Sequence, residues 1–382
     1  MKTGKRLIAV ASALVLSLCT VPVTAGAARI DIIEPQAVLA EAPINYVMFQ
    51  TIEEAGLYVR EHMKHHKEEF HIRLAASAGS TDILNDVLSV AFAETGRSDE
   101  GEYLRLGIEG YKTASNYIRR DPVLDIIFYY NSTLEQEAAV TEKIRSILDS
   151  LNLDGKDDYE KIKAVYDYLI THVEYSDDFD RNEVYSAYGA LVENSAVCQG
   201  FIHAMYRMLT ELGVSCRAVM GIGNGGDHVW CEASIDGIYY LLDPTWDSEY
   251  DGKLYLFFLK GSEDFDKYAF PVVHIAGSGD PKNYAFVPDC TSESFLTEYP
   301  VSEYAFDVKA YYSDFLAGDL NYDGCIDIFD LIAAKKGLID GFVNTKIKIA
   351  ADVNGDGSAN ISDAVLIQKY IEGSITDFSN AF

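Results

Sequence analysis

The dipeptide Asp236-Gly237, set between residues 228–235 and 238–243, constrains the fold more than any other stretch of the chain. A two-residue Asp-Gly link between apolar, strand-forming runs selects a tight hairpin whose twist matches its strands. A turn of two residues pairs Ile235 with Ile238, and counting outward sets Trp230 opposite Asp243. Residues two apart along a strand share a face. His228 and Asp243 therefore stand on one face as diagonal neighbours, with β-carbons roughly 7–8 Å apart or somewhat less. A one-residue slip would put them on opposite faces. Trp230 shares that face as a wall or core residue, and Glu232 as a substrate contact or a solvated strand position.

Upstream, Phe201, Met205, Met208 and Leu212 recur at helical spacing, and Gly213 supplies a stop. Cys198 falls in or beside the first turn of that helix. Backbone N–H groups and the positive dipole end there favour an anion, here a thiolate. Gly200, in the same turn, predicts a close approach by another segment. A thiolate, an imidazole base and a carboxylate that orients the base are the set that nucleophilic acyl transfer requires. Singly, such residues are most often a buried Cys, a satisfied His and a strand-end Asp. Their joint placement makes Cys198, His228 and Asp243 the candidate catalytic residues.

The runs CQGF at Cys198, GGDHVW at His228 and LLDPTWD at Asp243 resemble the transglutaminase-like family of papain-like cysteine enzymes. YEKIKAVYDYLITHVEY and YLFFLKGSEDFD resemble its leading helix and trailing strand, so the likeness covers about residues 155–288. The resemblance implies an α+β fold in which a helix packs on an antiparallel sheet. It implies Cys198 as nucleophile, His228 as general base and Asp243 as orienting partner. The implied function is thiol acyl transfer on a protein or peptide amide, by a cysteine peptidase or a transglutaminase-like acyltransferase. A fold does not establish a reaction. A non-catalytic binding protein and a polysaccharide-binding component stand as the other readings.

The far end of the chain repeats itself. Asp319-Leu-Asn321-Tyr-Asp323-Gly324 returns 33 residues later as Asp352-Val-Asn354-Gly-Asp356-Gly357. Position seven offers a backbone carbonyl from Cys325 or Ser358, position nine is Asp327 or Asn360, and position twelve is Asp330 or Asp363. This is the oxygen-donor spacing of a calcium loop, with Gly at position six for the sharp turn. Each loop opens into one helix, DLIAAKKGL and DAVLIQKYI. The doubled loop–helix unit resembles a dockerin, a small α-helical module. The resemblance implies two Ca2+ ions and a cohesin domain of a scaffolding protein as partner. It assigns partner reading to positions ten and eleven, Ile328-Phe329 and Ile361-Ser362. These pairs differ from each other and from the common Ser-Thr pair.

The rest of the chain is organised around these two regions. Lys2, Lys5 and Arg6 precede an apolar run over 7–21, and Ala25-Gly26-Ala27 offers a cleavage site, so residues 1–27 read as a secretory signal peptide. Residues 28–150 read as an α+β extension of unknown role, with helices at 52–67 and 133–148 and strands at 70–74 and 124–130. Residues 151–288 hold the catalytic domain, 289–316 a linker and 317–377 the dockerin. His62, His65, His66 and His71 lack a carboxylate-assisted motif and read as a polar face. The formal charge of −29 argues against nucleic acid and anionic membranes and suits cation binding. No later segment approaches ~18 uninterrupted apolar residues. The expected product is a secreted, extracellular component of a cellulosome-type complex. Export permits disulfides, and Cys216, Cys231, Cys290 and Cys325 leave three full pairings open.

Overall fold

The computed structural model describes residues 44–249, 254–267, 273–277, 290–313 and 316–378; the expected signal peptide at 1–27 lies outside them. The first unit pairs β1 (Val47–Phe49), β2 (Glu69–Leu74), β3 (Ile108–Ile118) and β4 (Asp121–Tyr130) in the order β1-β2-β4-β3. Phe70, Ile72 and Leu74 alternate inward with Leu124, Ile126 and Phe128, the period of a sheet covered on one face. The cover is α1 (Ile52–Met63) and α2 (Ile83–Ala91), through Ala55, Val59, Met63, Val87 and Leu88.

Two helices of this stretch serve a different core. α3 (Glu102–Leu106) and α4 (Leu134–Leu151) send Tyr103, Leu106, Val140, Ile144 and Ile147 into the core of the following unit. A boundary at residue 150 therefore cuts through one shared core. Periodicity identifies the apolar face of a helix but not the neighbour that face packs against. α4 and α5 (Asp158–His172) each start on a capping box, Thr133 with Gln136 and Asp157 with Glu160.

The second unit continues with β5 (Glu174–Tyr175), α6 (Ala187–Leu191), β6 (Ser195–Ala196), α7 (Cys198–Glu211), β7 (Cys216–Gly223), β8 (Gly226–Ile235), β9 (Ile238–Leu242), α8 (Pro244–Glu249) and β10 (His274–Ala276). Its sheet runs β10-β7-β8-β9 and is antiparallel throughout. Every residue of α7 from Cys198 to Leu209 is buried, so this helix is the axis of the unit. The close approach expected at Gly200 is real. A β-carbon there would lie 2.5 Å from the Val184 carbonyl oxygen and 2.8 Å from Ala196 Cβ. Gly200→Ala should therefore destabilise the fold by about 1–3 kcal/mol, although alanine is the better helix former. A melting temperature equal to or above that of the parent would show that residues 184–196 give way freely.

The described part of the expected linker at 289–316, residues 290–313, packs against the second unit. Among them lie α9 (Glu293–Glu298) and α10 (Val308–Ser313), and Val301 bridges Tyr239 at the open edge of β9. Cys290 and Phe295 are buried with Val219, Trp230, Phe257 and Phe265. The anchors are aromatic residues at irregular spacing, which leaves no period to read. The last unit holds α11 (Ile328–Asp340), α12 (Thr345–Ala351) and α13 (Ile361–Ile371) around Leu320, Leu331, Val353 and Ile367. The short α12, ahead of the second loop, was not expected. It touches the second unit where Thr345 donates to Glu160 through its N–H and its hydroxyl, and where Lys346 Nζ stands 3.9 Å from the Tyr311 ring. No disulfide joins any two of Cys198, Cys216, Cys231, Cys290 and Cys325.

Candidate active site

The β8–β9 hairpin has the register that its turn requires. Asp236 and Gly237 take positive φ of 52° and 85°, Ile235 pairs with Ile238, and the ladder closes at Cys231 with Leu242. Asp243 follows directly, where the chain leaves the strand for α8. Its Oδ2 lies 2.8 Å from His228 Nε2. Its Oδ1 accepts from the N–H groups of Thr245 (2.9 Å) and Trp246 (3.2 Å), capping α8 ahead of Pro244 in the first helical position. One fully buried carboxylate thus ends a strand, starts a helix and holds an imidazole.

Cys198 is the first residue of α7, and the N-cap, Val197, supplies no side-chain cap. β5 and β6 pair in parallel and bring Tyr175 beside Ala196. Burial, and then the charge of Cys198, pushes the Tyr175 hydroxyl pKa up, which marks Tyr175 as a wall of the thiol site. Burial alone would push the His228 pKa down. The Asp243 charge and hydrogen bond, with a further hydrogen bond to Cys198, outweigh it and raise the pKa to about 10. Burial acts on Asp243 in the opposite sense to its imidazole neighbours, and His228 and His274 hold its carboxyl well below the usual range. Nε2 of His228 is spent on Asp243, so Nδ1 is the nitrogen left for the sulfur. The arrangement can keep a protonated imidazole between a carboxylate and a thiol at neutral pH.

Trp246 stacks on His228 at 4.8 Å and 11°, with Trp230 behind at 6.0 Å. Glu232 is neither a substrate contact nor solvated. It is 3% exposed, stands opposite Arg217 in the sheet, and its carboxyl is pushed up to about 8 by burial and by Glu102. Three residues of the site escaped the sequence reading. His274 Nε2 lies 3.2 Å from Asp243 Oδ2, and Asp266 Oδ1 lies 2.7 Å from His274 Nδ1. Asp247 accepts from the Tyr166 hydroxyl (2.5 Å) and from the backbone of Leu256 and Phe257, tying α8 to α5 and the following segment. Asp247 stood in the LLDPTWD run, where a second acid four residues after Asp243 was the available signal. His274 is 31 residues from Asp243 and carried none. Ligand atoms of His228, Asp243 and His274 lie within 4.8 Å of one another, the spacing of a metal site. Here they hydrogen-bond to each other, and we read the cluster as a hydrogen-bonded network.

The repeated loops have the backbone that a calcium loop needs. Gly324 and Gly357, at position six, take φ of 83° and 88°. Asp319 accepts from the N–H groups of Asp323 (3.2 Å) and Gly324 (2.9 Å), and Asp352 from Asp356 (3.2 Å) and Gly357 (2.8 Å). Asp327 caps α11 and Asn360 caps α13, in reciprocal boxes with Asp330 and Asp363. Asp330 and Asp363 are buried to within 1%. The carboxylates, the Asn321 and Asn354 amide oxygens and the Cys325 and Ser358 carbonyls form an all-oxygen set, which suits a hard cation. Ile328 and Phe329 open α11, and Ile361 and Ser362 open α13, all four exposed.

Known proteins resemble both regions. Residues 145–244 match the model of the transglutaminase-like superfamily, and residues 317–372 match that of the dockerin type I domain. Dockerin type I domains bind calcium as a general property, and a dockerin implies a cohesin partner. A multidomain esterase of Ruminococcus flavefaciens is 38% identical over 18% of this chain and 9% of its own. The kyphoscoliosis peptidases of Mus musculus and Homo sapiens are 23% and 24% identical over 29% and 36% of this chain, and 19% and 22% of theirs. The chain thus spans less than a quarter of the length of these curated relatives. A solved structure described as "Crystal structure of a TGase" is 16% identical over 47% of this chain and 51% of its own, with a TM-score of 0.26. Among the described residues, no helix is long and apolar enough to cross a membrane.

Proposed function

We propose that this protein is an exported thiol acyl-transfer enzyme acting on protein or peptide amides and carried on a cellulosome-type scaffold. The observation that supports it best is the placement of His228, between the Asp243 carboxylate and the Cys198 thiol, with its pKa raised to about 10. In this reading the Cys198 proton has passed to His228, and the thiolate attacks the amide carbon, the C–S bond forming as the carbonyl oxygen takes the negative charge. The C–N bond then breaks, and His228 gives its proton to the leaving nitrogen. The thioester is resolved by water, as in a peptidase, or by an amine, as in a transglutaminase. His228, now neutral, takes the proton of that second nucleophile. The sulfur leaves as thiolate, and the ion pair is restored. Asp243 holds the imidazole in the required tautomer throughout. Two relatives carry the name peptidase, which favours water.

The C-terminal module adds location. Asp319, Asn321, Asp323, the Cys325 carbonyl, Asp327 and Asp330 would hold one Ca2+, and Asp352, Asn354, Asp356, the Ser358 carbonyl, Asn360 and Asp363 a second. Ile328, Phe329, Ile361 and Ser362 would meet the cohesin. Ile328, Phe329 and Ile361 leave large apolar side chains 51%, 64% and 75% exposed, as a binding face requires. The leader at 1–27 would direct export, with no nucleic acid or membrane as partner.

The test is mass spectrometry of a peptide library incubated with the full chain and with Cys198→Ala. Cleavage, deamidation and cross-linking leave different mass changes, so one experiment names the acceptor as well as the reaction. The parent should alter the library and Cys198→Ala should not. Equal product from both would remove the thiol, and an unaltered library with tight peptide retention would favour a binding protein.

A further inference from the structure

We infer that His274 is a positioning residue for this site, donating to Asp243 so that its carboxylate stays turned toward His228. The inference rests on the thiol chemistry proposed above. Asp243 is fully buried, and a buried carboxylate needs donors in place of water. Thr245 and Trp246 supply two N–H groups to Oδ1. Oδ2 has His228 on one side and His274 on the other, at 2.8 and 3.2 Å. Without His274, one side of that oxygen would lose its partner in a dry interior, and the carboxylate could rotate away from His228.

The fold goes to some length to put an imidazole there. β10 is an edge strand of three residues, and its pairing with β7 sets His274 opposite Gly223. A β-carbon at Gly223 would meet His228 Cβ at 2.8 Å, and one at Gly221 would meet the Ile275 carbonyl oxygen at 2.1 Å. Glycine at both positions is what lets β10 and His228 approach β7 together. Asp266 grips His274 twice, accepting from its backbone N–H at 2.9 Å and facing Nδ1 at 2.7 Å. The ring lies against Phe265 at 4.2 Å and Trp246 at 4.1 Å, and the side chain is 2% exposed. With a hydrogen on each ring nitrogen, histidine donates from opposite ends of a flat ring, so it can span two carboxylates inside an aromatic slot. A lysine or arginine would need room and water that the slot does not give.

The test uses the full chain and needs no substrate. Alkylation of Cys198 by iodoacetamide is followed by peptide mass spectrometry, with the exposed Cys325 as reference thiol in the same sample. Three variants separate hydrogen bonding from packing. H274F keeps a stacked ring and donates nothing. H274Q places an amide N–H where Nε2 stands, and the shorter H274N only where Nδ1 stands. The Cys198 rate should fall about tenfold or more in H274F and H274N, the scale of one hydrogen bond to a charged group, and recover to within about threefold in H274Q. Far-UV circular dichroism checks folding, and the Gln–Asn comparison carries the test if H274F is unfolded. Parental rates in H274F, or equal losses in H274Q and H274N, would overturn the inference. A parent in which Cys198 reacts no faster than Cys325 would instead remove the proposed thiol chemistry, and this inference with it.

Discussion

Asp243→Asn is expected to leave the fold intact and lower turnover by about 10³–10⁴-fold, the scale of a lost orienting carboxylate. Asparagine keeps one acceptor oxygen, so it can still cap α8 through the N–H groups of Thr245 and Trp246. That choice turns its NH₂ toward His228 Nε2 and His274 Nε2, and donors then face donors. His228 escapes by moving its proton from Nε2 to Nδ1, the nitrogen on the Cys198 side, and can no longer take a proton there. Circular dichroism and thermal melting should match the parent while product formation falls. A loss under about tenfold, a barrier change below ~1.4 kcal/mol, would show that Asp243 does not set the tautomer.

Chelation of calcium should unfold residues 317–377 while the rest of the chain stays folded. The module is two loops and three helices, and its buried core is small, anchored by Leu320, Leu331, Val353 and Ile367. A unit of that size rarely holds itself together without a metal or a cross-link. The buried or converging carboxylates of Asp319, Asp323 and Asp330, and of Asp352, Asp356 and Asp363, also repel one another until a dication neutralises them. Calorimetry of the full chain with calcium should show a transition that chelator abolishes, and a second that it leaves alone. Asp319→Ala or Asp352→Ala should shift the calcium-dependent transition only. An unchanged trace in chelator would end the calcium reading. If folding needs calcium but no cohesin is bound, the metal survives and the docking role falls.

The parts of the site legible in sequence are those fixed by local geometry. Asp236-Gly237 admits one hairpin register, and that register carries His228 and Asp243 to the same end of one face. Cys198 opens a helix because the apolar period of Phe201, Met205 and Met208 begins just after it. Elsewhere the deciding information is tertiary. β3 runs exposed beyond Thr113, so its alternation is faint. α4 shows its apolar face plainly, yet nothing in its own sequence says that the face belongs to the second unit. Residues 290–313 pack through isolated aromatics, and their polar majority looks like a connector. His274 is set by the arrival of a three-residue strand beside Gly221 and Gly223, and neither end of that contact is marked in the sequence.

The α3 contact with α7 has a consequence for how such a chain can be inherited. Tyr103 and Leu106 turn their carbonyl oxygens toward His203 Nε2 (3.0 Å) and Gln199 Nε2 (2.7 Å), all in buried surroundings. Gln199 is the residue next to Cys198. Recombination that joined residues 145–244 to a different leading segment would strand two polar side chains in a dry interior, at about 1–3 kcal/mol each. The span from α3 to α7 is therefore a single heritable block. The C-terminal module meets the second unit through part-buried groups at Glu160 and Tyr311, so parting the two there strands no such buried pair.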